Sequence, residues 1–573
     1  MPHNNVRIFA LATAICLTAT ASSANSSLFG DDLKNDEAVV LQLQTKLNEL
    51  GFDAGPTDGA WGRRTAGAVD AFTERFPPVA PFSEASALID RLQLIHDSWF
   101  ASPFSSGNLI TPQKSLVSQQ IVVSDIRSDG IACEPCNVST FVLGAGDFDG
   151  DQIDEVLLGL HVSVNFRNQN VPTSMMIIDR IETGNAELLK IPGATASIRR
   201  VHEREAAIAD FNGDGIDDFF IAAHGLDAQP FPGEQNILVL SSPTGLQDRS
   251  DTNIPQINDM SHGADAGDID GDGDYDIVVM TNDGSEKYEP YVLFNDGTGA
   301  FEMQPLASIV DAPQIITLYA GRNRANQFSS ARLLDLNNDA LPELLLLRSD
   351  PSESRQHTNT TSHIFWNSGT GTFSADNMTN LPTDRWSSVT FTNDAEAIDL
   401  DGDGLMDLIL TQSTRETNSS GEIIGNWHGQ FIQILRQAEG GYFVDETAER
   451  IWPQGYSLPL NEIHFADETE LVDLDEDGDV DIVTRSFSPA MTSLSLDDAI
   501  IQIGINDGNG HFAPLNPRWL SANQDYRFRS PLPGRFGPDG QTGILSYSVY
   551  GIFNETTDIT WGADFSLSFL SNH

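Results

Sequence analysis

A chain of 573 residues with 40% hydrophobic content can bury several cores, and its net charge of −52 excludes nucleic acid and anionic membrane surfaces as main partners, since both would repel it. The same self-repelling surface predicts a soluble monomer.

The N-terminus carries Arg7, then "IFALATAICLTATA" and the small residues Ser22 and Ala24. A basic segment, an apolar segment and a small-x-small site predict a signal peptide over 1–24 and export to the periplasm, envelope or exterior. Cys16 follows Ile15 rather than a small residue, which argues against a lipoprotein anchor. No later stretch reaches the ~18–20 apolar residues of a membrane helix, so no membrane span is expected.

Residues 38–97 read as a small all-α, three-helix domain. Leu41, Leu43, Leu47 and Leu50 keep helical spacing, Gly51 closes that helix, and "DAGPTDGAWG" is a loop. A second helix begins near Arg63 with Ala68, Val69 and Phe72 on one face, and "SEASALIDRLQLIHDSW" gives a third. Gln44, Leu47, Leu50, Gly51, Asp58, Gly59, Gly62, Thr65, Ala68 and Phe72 together resemble the peptidoglycan-binding domain of many bacterial wall hydrolases. Thr73 departs from it, where the family commonly has Gln. The resemblance implies contact with peptidoglycan or another cell-wall component. Trp61, Arg63 and Arg64 are the candidate ligand-binding residues, an aromatic plane and two cations for muropeptide carboxylates; a capped helix start with a solvated arginine pair explains them equally well.

A polar, aperiodic stretch over 98–119 reads as a linker. Cys133 and Cys136, in "CEPC", are the cysteines left after signal removal. In an oxidising compartment they form a small structural disulfide, the alternatives being a redox pair or half a zinc site.

From 120 to 573 the chain repeats. "DFDGDQIDE" at 147, "DFNGDGIDD" at 210, "DIDGDGDYD" at 268, "DLNNDALPE" at 335, "DLDGDGLMD" at 399 and "DLDEDGDVD" at 473 follow one another at intervals of 63, 58, 67, 64 and 74 residues. Oxygen side chains recur at loop positions 1, 3, 5 and 9, a carbonyl is available at position 7, and position 6 is usually Gly. That set suits a hard cation, so up to six Ca²⁺ ions are expected. The candidate ligands are Asp147, Asp149, Asp151, Ile153 and Glu155; Asp210, Asn212, Asp214, Ile216 and Asp218; and Asp268, Asp270, Asp272, Asp274 and Asp276. The later loops offer Asp335, Asn337, Asp339, Leu341 and Glu343; Asp399, Asp401, Asp403, Leu405 and Asp407; and Asp473, Asp475, Asp477, Asp479 and Asp481. The flanks, such as "DIVVM" and "LILTQ", are strand-like, and the Glu of an EF-hand's twelfth position is missing, so helix-flanked calcium loops are disfavoured.

This array resembles the FG-GAP and VCBS repeats, a likeness that implies a β-propeller. Gly-rich turns recur in "LFNDGTGAFE" at 293, "FWNSGTGTFS" at 365 and "GINDGNGHFA" at 504, as outer hairpins of blades. "RFGPDGQTGILSYSV", from Arg535, keeps only Asp539 among the acids and reads as a degenerate loop. The expectation is a multidomain protein: a small all-α domain, then an all-β propeller of seven blades, the last metal-free. A strand near 119–126 would complete the ring.

Six residues before each loop lie Phe141, Arg204, His262, Ser329, Asn393, Asp467 and Arg529. Of these, Arg204, His262, Asn393 and Asp467 are candidate ligand-binding residues at a channel mouth, with His202 and His464 near them; a channel mouth is polar in any propeller. No HExxH, GxSxG, P-loop or dinucleotide fingerprint is present, and no catalytic residue is assigned. His202 with Glu203 and Glu205 is the best acid–base cluster. Two functions stay open: a non-catalytic, calcium-bearing binding or adhesion protein at the cell wall, with an unknown protein or glycan at the propeller, or a wall- or polysaccharide-acting lyase or hydrolase. The missing catalytic motifs favour the first.

Overall fold

The computed structural model describes residues 34, 36–49, 54–75, 88–89, 117–123, 136–164, 169–183, 187–189, 191, 199–226, 231–281, 289–312, 328–348, 361–382, 390–417, 423–450, 468–475, 477–485, 503–514, 529–537, 540–553 and 559–568. The expected signal peptide, most of the third helix and of the linker, and Cys133, His464, Asp467 and Asp539 lie outside them. The chain divides into two compact units, the first holding residues 1–107 and the second most of the remainder.

In the first unit, Asp36 caps the helix Glu37–Glu49 by accepting from the N–H groups of Ala38 and Val39 at 3.1 and 3.3 Å. Val40, Leu43 and Leu47 are buried along one face of this helix, and Ala68 and Val69 are buried on its neighbour, Arg63–Arg75. Gln44 sits between helix and loop at 1% exposure. Its Oε1 accepts from the N–H groups of Asp58 (3.1 Å) and Gly59 (2.9 Å), while Nε2 donates to Asp58 Oδ1, Ala60 O and Thr65 Oγ1. One buried amide thus fixes the whole loop.

The second unit is a β-propeller. Blade 1 is built on the strands Cys136–Gly146 and Glu155–Val164, and blade 2 on Glu203–Ala209 and Asp218–Ala223. Blade 3 follows with Ser261–Gly267 and Asp276–Thr281, and blade 4 with Phe328–Leu334 and Glu343–Arg348. Thr390–Ile398 with Asp407–Thr417, and Glu468–Val472 with Asp481–Arg485, begin blades 5 and 6. Each pair is antiparallel, is joined by one acidic loop, and is extended outward by further strands.

The second strand of a blade explains its unbroken apolar run, because it is covered on both faces. Phe219 and Ile221 pack into a core with Leu143, Leu157 and Ile177 of blade 1. Phe220 and Ala222, pointing the other way, pack with Ile277, Val279 and Tyr291 of blade 3. The same alternation places Val278 and Met280 with Leu344 and Leu346, and Leu345 and Leu347 with Leu408 and Leu410.

Six blades follow this plan, not the seven expected. The stretch read as a seventh does not complete a sheet by itself. Arg529–Gly534 and Gly543–Phe553 join Ile559–Ser568 and the early strand Val117–Val123 in a closing sheet built from both ends of the repeat region. There Val117 pairs with Leu567 and Val123 with Trp561, so closure begins inside the stretch read as linker. Asp154 of blade 1 ties this sheet in, accepting from the backbone N–H of Arg535 at 2.7 Å and from its guanidinium at 2.6 and 2.9 Å. No helix among the described residues is long and apolar enough to cross a membrane.

Candidate functional site

The six acidic loops share one hydrogen-bond plan. In blade 3, Asp268 Oδ1 accepts from the N–H groups of Gly271 (2.8 Å) and Asp272 (3.1 Å), and Oδ2 from Gly273 (3.0 Å). Asp210 and Asp399 hold their loops in the same way. The position-5 carboxylate then accepts from the N–H of position 7: Ile153, Ile216, Asp274, Leu341, Leu405 and Asp479 are each held within 3.1 Å. These bonds force left-handed backbone at two positions rather than one. Gly271 and Gly273 have φ of 77° and 97°, and blade 4 tolerates the same turn with Asn338 (60°) and Ala340 (69°).

The position-9 carboxylates are buried. Glu155, Asp218, Asp276, Glu343, Asp407 and Asp481 are all at most 1% exposed. Each accepts from the N–H of its own loop's second residue, as Asp276 does from Ile269 at 3.0 Å and Asp481 from Leu474 at 2.9 Å. Five also accept from backbone N–H groups on or just after the third strand, those of Ser241, Asn295, Asn367, Gln437 and Asn506. Burial above all, with the neighbouring loop acids adding to it, pushes Glu155 up to about 9, Asp218, Asp276, Glu343 and Asp481 to about 7, and Asp407 to about 6.

Four loops bring carboxylate oxygens within 4.8 Å of one another: Asp147, Asp149 and Glu155; Asp268, Asp270 and Asp276; Asp399, Asp401 and Asp403; and Asp473, Asp475 and Asp481. These groups could hold a metal ion. Asp270 Oδ1 and Asp475 Oδ1 are buried without a hydrogen-bond partner, as a missing positive centre would leave them. An all-oxygen donor set fits a hard divalent cation. Blades 2 and 4 differ because position 3 is an amide. Asn212 Nδ2 donates to Asp218 (3.0 and 3.2 Å), and Asn337 Nδ2 to Glu343 Oε1 (3.3 Å), so part of the neutralisation is supplied from within the loop.

The polar residues six before the loop mark a backbone irregularity. Arg204, His262, Ser329 and Asn393 are the extra residues at β-bulges, where pairing jumps from 203 to 205, 261 to 263, 328 to 330 and 392 to 394. Blade 1 bulges at Leu143 instead, so Phe141 is an ordinary paired residue. Two of the four meet: Arg204 Nη2 lies 3.0 Å from His262 Nε2. His224 stacks edge-on between His202 and His262, with ring centroids 5.3 and 5.9 Å away. Glu203 is fully buried and neither of its carboxylate oxygens has a hydrogen-bond partner.

Sequence reasoning missed Arg332, three residues before the fourth loop. Its guanidinium, 12% exposed, reaches Glu205 of blade 2 at 2.5 Å and Asp394 of blade 5 at 2.6 Å. Asp265 of blade 3 completes the group by accepting from Leu333 N–H at 2.7 Å. An arginine among apolar and small residues in "SSARLLD" was the available signal.

In the helical unit, Arg63 and Arg64 are exposed and Trp61 is half-buried, with Lys34 Nζ 5.9 Å from its ring centre. Cys136 lies on the first strand of blade 1.

Residues 210–279 and 335–410 match the family model of the FG-GAP-like repeat, and residues 36–77 match that of a peptidoglycan binding domain. The chain therefore carries FG-GAP-like repeats on a β-propeller and a peptidoglycan-binding domain ahead of them. No curated protein matches it. Among solved structures, a rhamnogalacturonan lyase of Bacillus licheniformis is similar at a TM-score of 0.36 and 14% identity, over 80% of this chain and 76% of its own. The Dos1 propeller gives 0.35 and 11%, over 76% and 95%. A levansucrase of Bacillus subtilis gives 0.25 and 11%, over 62% and 93%.

Proposed function

We propose, from a propeller of FG-GAP-like repeats preceded by a peptidoglycan-binding domain, an exported, cell-wall-associated binding protein whose propeller is held together by Ca²⁺. The helical domain holds the protein at the wall, with Trp61, Arg63 and Arg64 as its contact residues. The propeller presents a surface to a protein or glycan, and carries out no reaction.

The observation that carries the calcium reading is the pair of buried, unpartnered oxygens on Asp270 and Asp475, each inside a three-carboxylate cluster. In this reading the side chains at positions 1, 3, 5 and 9 hold the ion with the position-7 carbonyl. The ion supplies positive charge that joins the first two strands of a blade. The remaining residues do the rest: position 1 orders the loop N–H groups, and position 9 ties the loop to the blade.

Two measurements test the proposal. Thermal unfolding of the whole protein is expected to fall by ten degrees or more, as a rough scale, when millimolar Ca²⁺ is replaced by chelator; equal melting in both removes the calcium reading. Incubation with purified sacculi is expected to pellet the protein without releasing fragments. Reducing ends or unsaturated uronates in the supernatant would instead establish an enzyme.

A further inference from the structure

The Gly-rich hairpins at 293 and 365 each hold a buried asparagine whose side chain reaches beyond its own blade. Asn295 Nδ2 donates to Phe211 O at 2.8 Å, inside the acidic loop of the preceding blade, and to Tyr275 O of its own loop at 3.1 Å. Its backbone N–H donates to Asp276 Oδ1 at 2.9 Å. Asn367 repeats the arrangement one blade later: Nδ2 reaches Ile269 O at 2.9 Å and Pro342 O at 3.0 Å, and the backbone N–H points at Glu343 Oε1 at 3.4 Å.

Two of the residues that receive these amides, Phe211 and Ile269, also serve position-9 carboxylates, and Leu336 serves the last of the three without receiving one. Phe211 N–H donates to Asp218 at 2.8 Å, Ile269 N–H to Asp276 at 3.0 Å and Leu336 N–H to Glu343 at 2.6 Å. A continuous path therefore runs from Asp218 through Phe211 and Asn295 to Asp276, and on through Ile269 and Asn367 to Glu343. Each step uses one loop residue and one asparagine. In Asp276, one carboxylate oxygen faces the residue leading onward and the other the residue leading back.

We infer that this path couples the acidic loops of blades 2, 3 and 4, so that Ca²⁺ entering one raises the affinity of its neighbours. The inference rests on the reading of these loops as calcium sites. A cation drawn to a position-9 carboxylate changes how that group holds both of its N–H donors. Because those donors are buried and fully committed, the change passes to the next loop rather than into solvent. Blade 3 leads, since its loop has carboxylates at positions 1, 3, 5 and 9. Blades 2 and 4, with Asn212 and Asn337 at position 3, have fewer charges and gain most from a neighbour already filled.

The test uses the full chain, stripped with chelator and titrated with Ca²⁺, with hydrogen exchange followed by mass spectrometry over 211–218, 269–276 and 336–343. In the wild type these three segments are expected to gain protection steeply, with a Hill coefficient above one and a common midpoint. In Asn367→Ala the midpoint of 336–343 is expected to rise about 5-fold or more relative to that of 269–276. Three independent midpoints with slopes of one overturn the coupling, as does an Asn367→Ala protein whose loops still fill together. If that variant does not fold, the wild-type slopes decide alone. Absence of protection at any loop in Ca²⁺ removes the calcium reading, and the coupling with it.

Discussion

Arg332 of blade 4 binds Glu205 of blade 2 through Nη1 at 2.5 Å, while its Nε donates to Asp394 of blade 5 at 2.6 Å. One side chain thereby joins the inner strands of blades that are not all neighbours. The acids around it, Asp394 first, then Glu205, Asp265 and Glu396, favour its charged form against the cost of burial. Replacing it by Leu leaves several buried carboxylates without a counter-charge, and a loss of about 3–5 kcal/mol is expected. Denaturant unfolding of Arg332→Leu checks this. A loss below about 1 kcal/mol would mean that water reaches these acids freely.

Glu203 predicts a pH dependence. Burial, with a smaller contribution from the Glu234 charge, pushes its carboxyl from the ordinary 4.5 to about 8, despite the opposing pull of its own backbone and Arg200. The folded state thus holds the proton more tightly than the unfolded chain. The stability this lends is complete below about pH 4.5 and is lost as pH rises through 8. Glu203→Gln keeps the shape and drops the titration. The variant is expected to melt about 2 °C or more above wild type at pH 8.5, with no gain at pH 4.5. Equal displacement at both pH values would rule the assignment out.

Left-handed backbone at loop positions 4 and 6 gives opposite substitutions opposite signs. Ala340 has φ of 69°, so Ala340→Gly is expected to stabilise by about 0.5 kcal/mol, the relief of strain exceeding the added chain entropy. Gly273 has φ of 97° and open space where a Cβ would stand, so Gly273→Ala costs about 1–2 kcal/mol through conformation alone. Both are read from unfolding midpoints in excess Ca²⁺.

Gln44 is the corresponding single point in the helical domain. Gln44→Ala would strip partners from the N–H groups of Asp58 and Gly59, and a loss of about 2 kcal/mol or more is expected. Gln44→Glu tests the geometry separately: Oε1 can still accept, but the donations to Asp58, Ala60 and Thr65 become repulsive. If Gln44→Glu is as stable as wild type, Nε2 is not holding the loop.

What could be read from the sequence is what lies within one loop. The oxygens at positions 1, 3, 5 and 9 recur over nine residues, and a strand–loop–strand reading follows because both flanks are β-branched. Arg332 was hidden, since its partners Glu205 and Asp394 are distant in the chain and only the ring brings them together. The closing sheet was legible in part: the degenerate loop at Arg535 was read as the start of a last blade and a completing strand was expected near 119–126, but only the pairing shows that the strand is Val117–Val123 and that the sheet is shared between the two ends of the repeat region. The polar positions before the loops were read as candidate ligand-binding residues; that Arg204, His262 and Asn393 stand at β-bulges is a backbone feature which alternation of side chains could not reveal. The left-handed turn at loop position 4 was signalled and missed: Gly150, Gly213, Gly271 and Gly402 stand there with φ of 83°, 72°, 77° and 72°, and only Asn338 replaces glycine among the described residues.

The pairing of Val117–Val123 with Ile559–Ser568 has a consequence for how the protein is made. On the ribosome, the early strand emerges first and must wait through translation of all six blades before its mate arrives. A message cut short anywhere in that interval yields a row of bare backbone donors and acceptors open to any passing strand. Such fragments are expected to be cleared by quality-control proteases or to precipitate, and the sheet is completed only when the ten-residue strand Ile559–Ser568 arrives.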